Sequence, residues 1–224
     1  MVGTPATAAS PGTLAAVRDR HAGGIFLSGR STGGVAATAS VVSRFTSLAE
    51  PDLPLWVATD QEGGEVQVLR GPGFDAMPYG IRQADLPSDQ LRAKAEAWGR
   101  ELADAGVNLD LAPVADIVTS KATRFDNPPI GGFGRQYGYD ASTVVDKAGA
   151  FAEGMRDAGI LPTFKHFPGL GHVSANTDTT ADVVDRAVTP DGPDVDLYRP
   201  LTAAGPSAVM VSSAIYDRID GSTP

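Results

Sequence analysis

No cysteine occurs in the 224 residues. That absence excludes disulfides, thiolate metal sites and cysteine nucleophiles together, and it removes any redox clue to the compartment. Histidine is scarce, with only His21, His166 and His172. Basic residues number 18 against 27 acidic ones, a formal net charge of −9. A surface of that sign repels phosphate backbones, so no nucleic-acid partner is expected. A neutral substrate such as a sugar is compatible with it. No apolar run reaches the roughly 18–20 residues of a membrane span. The start, Met1-Val2-Gly3-Thr4-Pro5, lacks the basic and apolar stretches of a signal peptide, so none is expected there. Also missing are a Walker-type phosphate loop, a GxSxG elbow, an HExxH helix and a GxGxxG turn after a strand.

What is present is a core and an alternation. Hydrophobic residues make up 42% of the chain, enough for a sizeable interior and against disorder. Short apolar segments rich in β-branched residues run over 24–28, 55–60, 107–111, 160–165 and 208–213, with a possible sixth ending at Met1-Val2-Gly3. Their near-continuous apolar character suits buried parallel strands. Helical periods lie between them. Ser88 can cap a helix with Leu91, Ala95, Trp98 and Leu102 on one face and Gly106 at its end. Asp140 or Ser142 starts another, with Val144, Ala148, Phe151, Met155 and Ala158 inward and Gly159 at the end. A third runs from about Val35 to Leu48, with Ala37, Val41, Phe45 and Leu48 facing in. Each of the first two helices feeds through glycine straight into a strand, the αβ half of repeated βαβ units.

Alternation alone allows an open or a closed parallel sheet. Polar residues stand at several strand ends: Ser28 and Arg30, Asp60 and Glu62, Asp110 and Asp116, Lys165 and His166, Ser212 and Ser213. Sites drawn from many strand ends are expected of a (β/α)8 barrel of the TIM type, whereas an open sheet gathers its ligand at one switch point. A full barrel takes about 250 residues. The expected architecture is therefore a single α/β domain over residues 1–224, a TIM-type barrel incomplete at its C-terminal end and at its N-terminus. Gly221-Ser222-Thr223-Pro224 has the composition of a loop-like tail, and the Gly/Pro-rich stretch Asn127 to Gly138 that of a long functional loop.

Four segments could carry chemistry. Asp60-Gln61-Glu62-Gly63-Gly64 follows a strand; its carboxylates can accept from sugar hydroxyls, and its glycines let backbone approach a ligand, though solvated turn acids would fit as well. Lys165-His166-Phe167-Pro168-Gly169-Leu170-Gly171-His172 ends an apolar strand. Lys165 is costly to bury unless paired, so it either meets an acid or ligand there or snorkels to water. The acidic, hydroxyl-rich loop from Asn176 through Asp178 to Asp185 has, taken alone, the composition of a solvated surface. Arg124, Asn127 and Arg135 lie on the long loop, where a guanidinium can clamp a ligand oxygen or sit exposed. His21 falls at a helix end and is expected to be structural.

In order, these pieces resemble glycoside hydrolase family 3, in its β-N-acetylglucosaminidase branch. The matching residues are Gly24 to Leu27, Asp60 to Gly64 with Val66-Gln67, Ala112 to Asp116, Ile130-Gly131 with Arg135 to Gly138, and Lys165 to Gly169. They cover nearly the whole chain and keep the family's motif order. The resemblance implies retaining hydrolysis of a terminal β-linked sugar, most closely N-acetylglucosamine, with a small carbohydrate as partner and no metal or organic cofactor. It implies that Asp60, Arg135, Lys165 and His166 bind the sugar. It also suggests cell-wall sugar turnover, and an envelope or extracellular site rather than the cytoplasm.

The chain departs from the family's pattern in three places. Where the branch carries an Asp-x-His dyad as general acid/base, this sequence has Asn176, Thr177 and Asp178, so Asp178 stands in the histidine's place and His172 is a second candidate. Val68 replaces an arginine common in relatives, a contact that is lost or taken over by Arg70. The family's nucleophile is an aspartate on a later strand, beyond Ser212-Ser213-Ala214; Asp217 and Asp220 do not match its context. Retaining chemistry needs two carboxyl groups about 5–5.5 Å apart, so the fragment alone is expected to be inactive. Two other functions compete: a non-catalytic sugar-binding module, motivated by Asn176 and the missing nucleophile, and a Schiff-base aldolase using Lys165.

Overall fold

The computed structural model of the chain describes residues 1–50 and 52–220. The tail expected from Gly221 to Pro224 lies outside the described residues. In chain order the strands are β1 (Val2–Pro5), β2 (Gly24–Ser28), β3 (Trp56–Thr59), a hairpin of β4 (Gln61–Gly63) and β5 (Val66–Gln67), β6 (Leu109–Asp110), β7 (Leu161–Phe167), β8 (Val184–Asp185), β9 (Ala208–Val211) and β10 (Ile215–Tyr216). The helices are α1 (Pro11–Arg20), α2 (Gly34–Thr46), α3 (Gly80–Gln83), α4 (Ser88–Asp104), α5 (Ala141–Asp157), α6 (Pro193–Asp196) and α7 (Tyr198–Ala203). Six strands make the central sheet in the order β1-β2-β3-β6-β7-β9, and every neighbouring pair is parallel. Spatial order follows chain order, the winding of a (β/α) barrel. The barrel is not closed: among the described residues β1 and β9 each pair on one side only.

The apolar strands are buried as expected, with Ile25, Leu27, Val57 and Phe164 fully enclosed beneath the helices. The expected strand at 107–111 shrinks to the two residues of β6; Leu111 keeps one bond to Thr59 of β3, and from Ala112 the chain runs beside β7. Asp140 caps α5 by accepting the Thr143 N–H at 2.8 Å, satisfying a donor that the first turn leaves free. Ser88 does not cap α4. It is the first helical residue, behind Pro87, and its hydroxyl donates instead to Asp146 at 2.6 Å. Of the expected inward face of α2, Phe45 is buried and Val41 and Leu48 pack against the core, but Ala37 is exposed and the face also takes in Thr38 and Val42. Thr38 tolerates burial because its hydroxyl donates to the Gly34 carbonyl. Gly106 and Gly159, at φ 81° and 79°, turn α4 and α5 into the strands that follow, as their position implied. His21 sits at the end of α1 in the left-handed region (φ 51°), a capping role.

Helices α4 and α5 pack closest of all, because glycines remove side chains at their crossing. A Cβ on Gly154 would stand 2.3 Å from the Arg92 carbonyl, and one on Gly99 would stand 2.7 Å from Ala158 Cβ. Phe151 fills the adjoining space between Trp98 and Tyr137. Gly154→Ala is therefore expected to force the helices apart and cost about 1–3 kcal/mol, read as a lowered urea midpoint. At the other side of the sheet, β9 exposes Val209 (42%) and Val211 (72%) along an unpaired edge. Such edges template association. The polypeptide 1–224 should self-associate at rising concentration, and Val209→Lys should suppress it in light scattering; a cooperative, monomeric melt of the unsubstituted chain would contradict this.

Candidate active site

Lys165 lies near the end of the longest strand, β7, and points inward with 2% of its side chain exposed. It does not snorkel. Its Nζ meets Asp60 Oδ1 at 2.8 Å and Glu62 Oε1 at 2.5 Å. Both acids come from the turn after β3, and their backbone is held from beneath. Asp110 at the end of β6 accepts the Gln61 N–H at 3.0 Å. The Gln61 side chain bonds both the carbonyl and the N–H of Leu69, closing the hairpin. Gly63 and Gly64 serve this turn rather than a ligand: a Cβ on Gly63 would meet the Pro78 carbonyl at 2.2 Å, and one on Gly64 the Tyr79 ring at 2.3 Å. The chain's own residues occupy the space that the sequence had suggested for a substrate.

Glu62 then passes the contact on. Arg135, from the long loop, grips it through two bonds, Nε to Oε2 at 2.9 Å and Nη2 to Oε1 at 2.8 Å, and also donates to the Pro129 carbonyl at 2.8 Å. A guanidinium fork fits a carboxylate in this way. Burial alone would raise the Glu62 carboxyl, but Arg135 and Lys165 outweigh it and hold it down at about 2. Lys165 is likewise favoured as the cation: burial works against it, and Glu62 and Asp60 more than compensate. Asp110 goes the other way. Burial pushes its carboxyl well above the usual range, Lys165 offsetting only part of that, and its Oδ2 has no hydrogen-bond partner.

His166 is oriented by a second buried acid. After β6 the chain runs alongside β7, with the Ala115 N–H bonded to the Lys165 carbonyl at 2.6 Å, and this brings Asp116 under the β7 end. Asp116 Oδ2 holds His166 Nδ1 at 2.7 Å, and its Oδ1 accepts the backbone N–H of Leu170 at 2.7 Å and of His166 at 3.2 Å. Burial opposes ionisation of Asp116, but His166 and these donors overcome it and lower its carboxyl.

A cavity of about 420 Å³ opens over this cluster, lined by Asp60, Arg135, Lys165, His166 and Asp178 together with Ser212 and Ser213. Asp60, 25% exposed, is the cluster's most open carboxylate. Asp178 reaches the cavity from a loop whose turn closes on itself, Asn176 Oδ1 accepting the Asp178 N–H at 3.0 Å. His172 lies elsewhere. Its Nε2 meets Asp194 at 2.9 Å and its Nδ1 meets Thr119 at 3.0 Å, and it does not line the cavity. The Asp194 contact raises its pKa, a pattern of an ion pair that anchors the loop after β7. Asn127 also ties loops together, donating to the carbonyls of Leu170 and Val173. Arg124 stacks on Phe125 outside the cavity. Arg70 donates to the carbonyls of Gly64 and Gln67 and does not reach the cavity. The sequence marks Glu62 and Asp116 as strand-end acids within matching motifs but not what they pair with; their partners lie 73 and 50 residues away. A Schiff-base role for Lys165 needs a neutral amine, and two carboxylates hold it charged.

The model of the glycosyl hydrolase family 3 N-terminal domain matches residues 5–224. The chain belongs to this family. The β-hexosaminidase LpqI of Mycobacterium tuberculosis is 38% identical over 176 residues, covering 77% of this chain and 43% of its own length. The crystal structure of a β-N-acetylhexosaminidase from Beutenbergia cavernae superposes with a TM-score of 0.97 at 50% identity, over all of this chain and 68% of that one. A family 3 β-N-acetylglucosaminidase from Paenibacillus gives a TM-score of 0.84 at 28% identity, over 97% of this chain and 41% of that one. The chain thus spans less than half of the curated relative and about two thirds of the first structure. No helix among the described residues is long and apolar enough to cross a membrane.

Glu62→Gln removes one charge between two buried cations and is expected to cost about 3–5 kcal/mol in urea unfolding. Because the Glu62 carboxyl sits at about 2 rather than the usual 4.5, its stabilisation is complete above about pH 5 and is lost as pH falls towards 2. Acid unfolding followed by circular dichroism should therefore be less steep in the Gln variant. His172, raised by Asp194, stabilises below its ordinary pKa and loses that contribution as pH rises through the elevated one. His172→Ala should flatten the alkaline side of the same profile.

Proposed function

We propose that this domain forms the sugar-binding and acid/base part of a retaining β-N-acetylhexosaminidase acting on terminal β-linked N-acetylglucosamine. The observation that carries it is the ion-paired set of Asp60, Lys165, Glu62 and Arg135 beneath a cavity that Asp178 and His166 also line. Sugar hydroxyls are both donors and acceptors, and this floor offers both. Asp60 accepts, Lys165 donates, and His166 presents its free ring nitrogen. Asp116 fixes the His166 ring through Nδ1, which leaves Nε2 for the sugar. Arg135 binds the ligand from its loop while Glu62 holds its guanidinium plane. Because the charges are already paired, the set is rigid before the sugar arrives, and little reorganisation is needed on binding.

Asp178 serves as general acid. It gives a proton to the glycosidic oxygen as the C–O bond breaks and takes one from water in the second half of the reaction. The nucleophile that traps the sugar comes from a later strand of a longer chain. Asp217, held by Arg186 at 3.2 Å, lies outside the cavity, as does Asp220.

Calorimetry of residues 1–224 with N-acetylglucosamine should show binding that Asp60→Asn weakens by roughly tenfold or more, the range for a lost charged hydrogen bond. A chain extended through the following βα units should hydrolyse a chromogenic N-acetyl-β-glucosaminide. There Asp178→Asn should lower kcat by about 10²–10⁴-fold with KM little changed. Absence of turnover by the folded, extended chain would remove the hydrolase reading and leave a sugar-binding module.

A further inference from the structure

The largest opening described on the molecule is not the sugar cavity. A trough of about 660 Å³ lies on the far side of the long loop, and a second hollow of about 450 Å³ adjoins it at Glu65 and Tyr79. The loop is the wall between trough and sugar cavity: Gly134 lines the one and Arg135 the other, and Glu65 and Val66 divide in the same way. The two sites share no lining residue.

The trough's charge runs against that of the protein. Arg82, Lys121 and Arg124 line it, and Arg30 and Arg70 line the adjoining hollow. These are five basic side chains against two acidic ones, Glu65 and Asp85, on a chain of net charge −9. Both acids already have partners. Glu65 accepts from the Tyr79 hydroxyl at 2.8 Å, and Asp85 meets Arg82 at 3.4 Å. Lys121 makes no hydrogen bond or ion pair among the described residues. Arg124 bonds the Gly131 carbonyl through Nη1 and stacks on Phe125, which leaves its other guanidinium N–H groups for a ligand. Three aromatic rings interleave with these cations. Tyr79 is 39% exposed, with its ring seated on Gly64 and its hydroxyl fixed by Glu65; Phe133 is 46% exposed; Tyr139 lines the same space.

Fixed aromatic faces beside cations in excess of their acids suit a ligand with flat-sided rings and negative groups. We propose that this trough is a second binding site, for an acidic oligosaccharide. Its sugar rings stack on Tyr79 and Phe133, and its carboxylates meet Lys121, Arg124 and Arg82. The choice of a glycan over another polyanion rests on the hydrolase reading above; the site itself rests on charge and shape. Bound there, a chain-like ligand adds affinity without entering the cavity where the bond is cut, as a tethered second contact does.

The test uses residues 1–224 and three probes: a hyaluronan hexasaccharide, which alternates glucuronate with N-acetylglucosamine; neutral chitohexaose; and a poly-glutamate peptide. At about 50 mM salt the hyaluronan fragment should bind roughly tenfold tighter than chitohexaose, and most of that advantage should disappear at about 500 mM. Lys121→Ala with Arg82→Ala, both at exposed positions, should erase the preference, and Phe133→Ala should weaken the hyaluronan fragment at either salt. Both variants should bind N-acetylglucosamine as the unsubstituted chain does, which also reports that they fold. Equal affinity for the two oligosaccharides, or no effect of the double variant, overturns the proposal. So does poly-glutamate binding as tightly as hyaluronan, which would make the trough a peptide surface. If N-acetylglucosamine fails to bind while the hyaluronan preference survives, the trough stands and the hydrolase reading falls.

Discussion

One buried ammonium group organises this domain. Lys165 has left water at the end of a central strand, and the molecule offsets the cost with two carboxylates and a guanidinium drawn from distant segments. An unpaired charge there would cost more than most whole domains are stable by. The loop after β3, the long loop carrying Arg135 and the end of β7 must therefore meet at one point for the fold to be stable at all. The geometry of the cavity floor and structural integrity depend on the same contacts. A substitution that disturbs one disturbs the other.

The same logic explains the acids that surround the cluster. Glu62 is held low because two cations face it, while Asp110, just as buried, is raised because burial outweighs the pull of Lys165 and its acidic neighbours add to the rise. Asp116 is held low for a third reason, the donors that converge on it from His166 and Leu170. Two of these three carboxyls are thus lowered and one raised, set by who faces them.

The architecture was largely legible in the chain. Periodic apolar faces marked α4 and α5, and glycines marked where each turns into a strand, because these are local rules of helix geometry. On α2 the inward face was legible at Val41, Phe45 and Leu48 but not at Thr38, since a buried threonine that bonds its own helix backbone looks polar in sequence. Asp60, Lys165, His166, Arg135 and Asp178 were legible as candidates, and they line one cavity. The supporting acids were not, because nothing near Glu62 or Asp116 in sequence reveals a cation 73 or 50 residues away. Nor did composition reveal that Gly63 and Gly64 yield to Pro78 and Tyr79, a contact made only when the hairpin folds back.

The loop that carries Asp178 differs from everything beneath it. Asp60, Lys165, Glu62 and Arg135 are locked into one network, whereas the turn from Asn176 to Thr180 is bonded chiefly to itself, through the Asn176 side chain and its carbonyl. A segment built this way can exchange the side chain at position 178 with little consequence for the floor below. Floor and rim of the cavity are therefore mechanically separate: the one is held still by its charges, and the other hangs from a turn that none of those charge pairs touches.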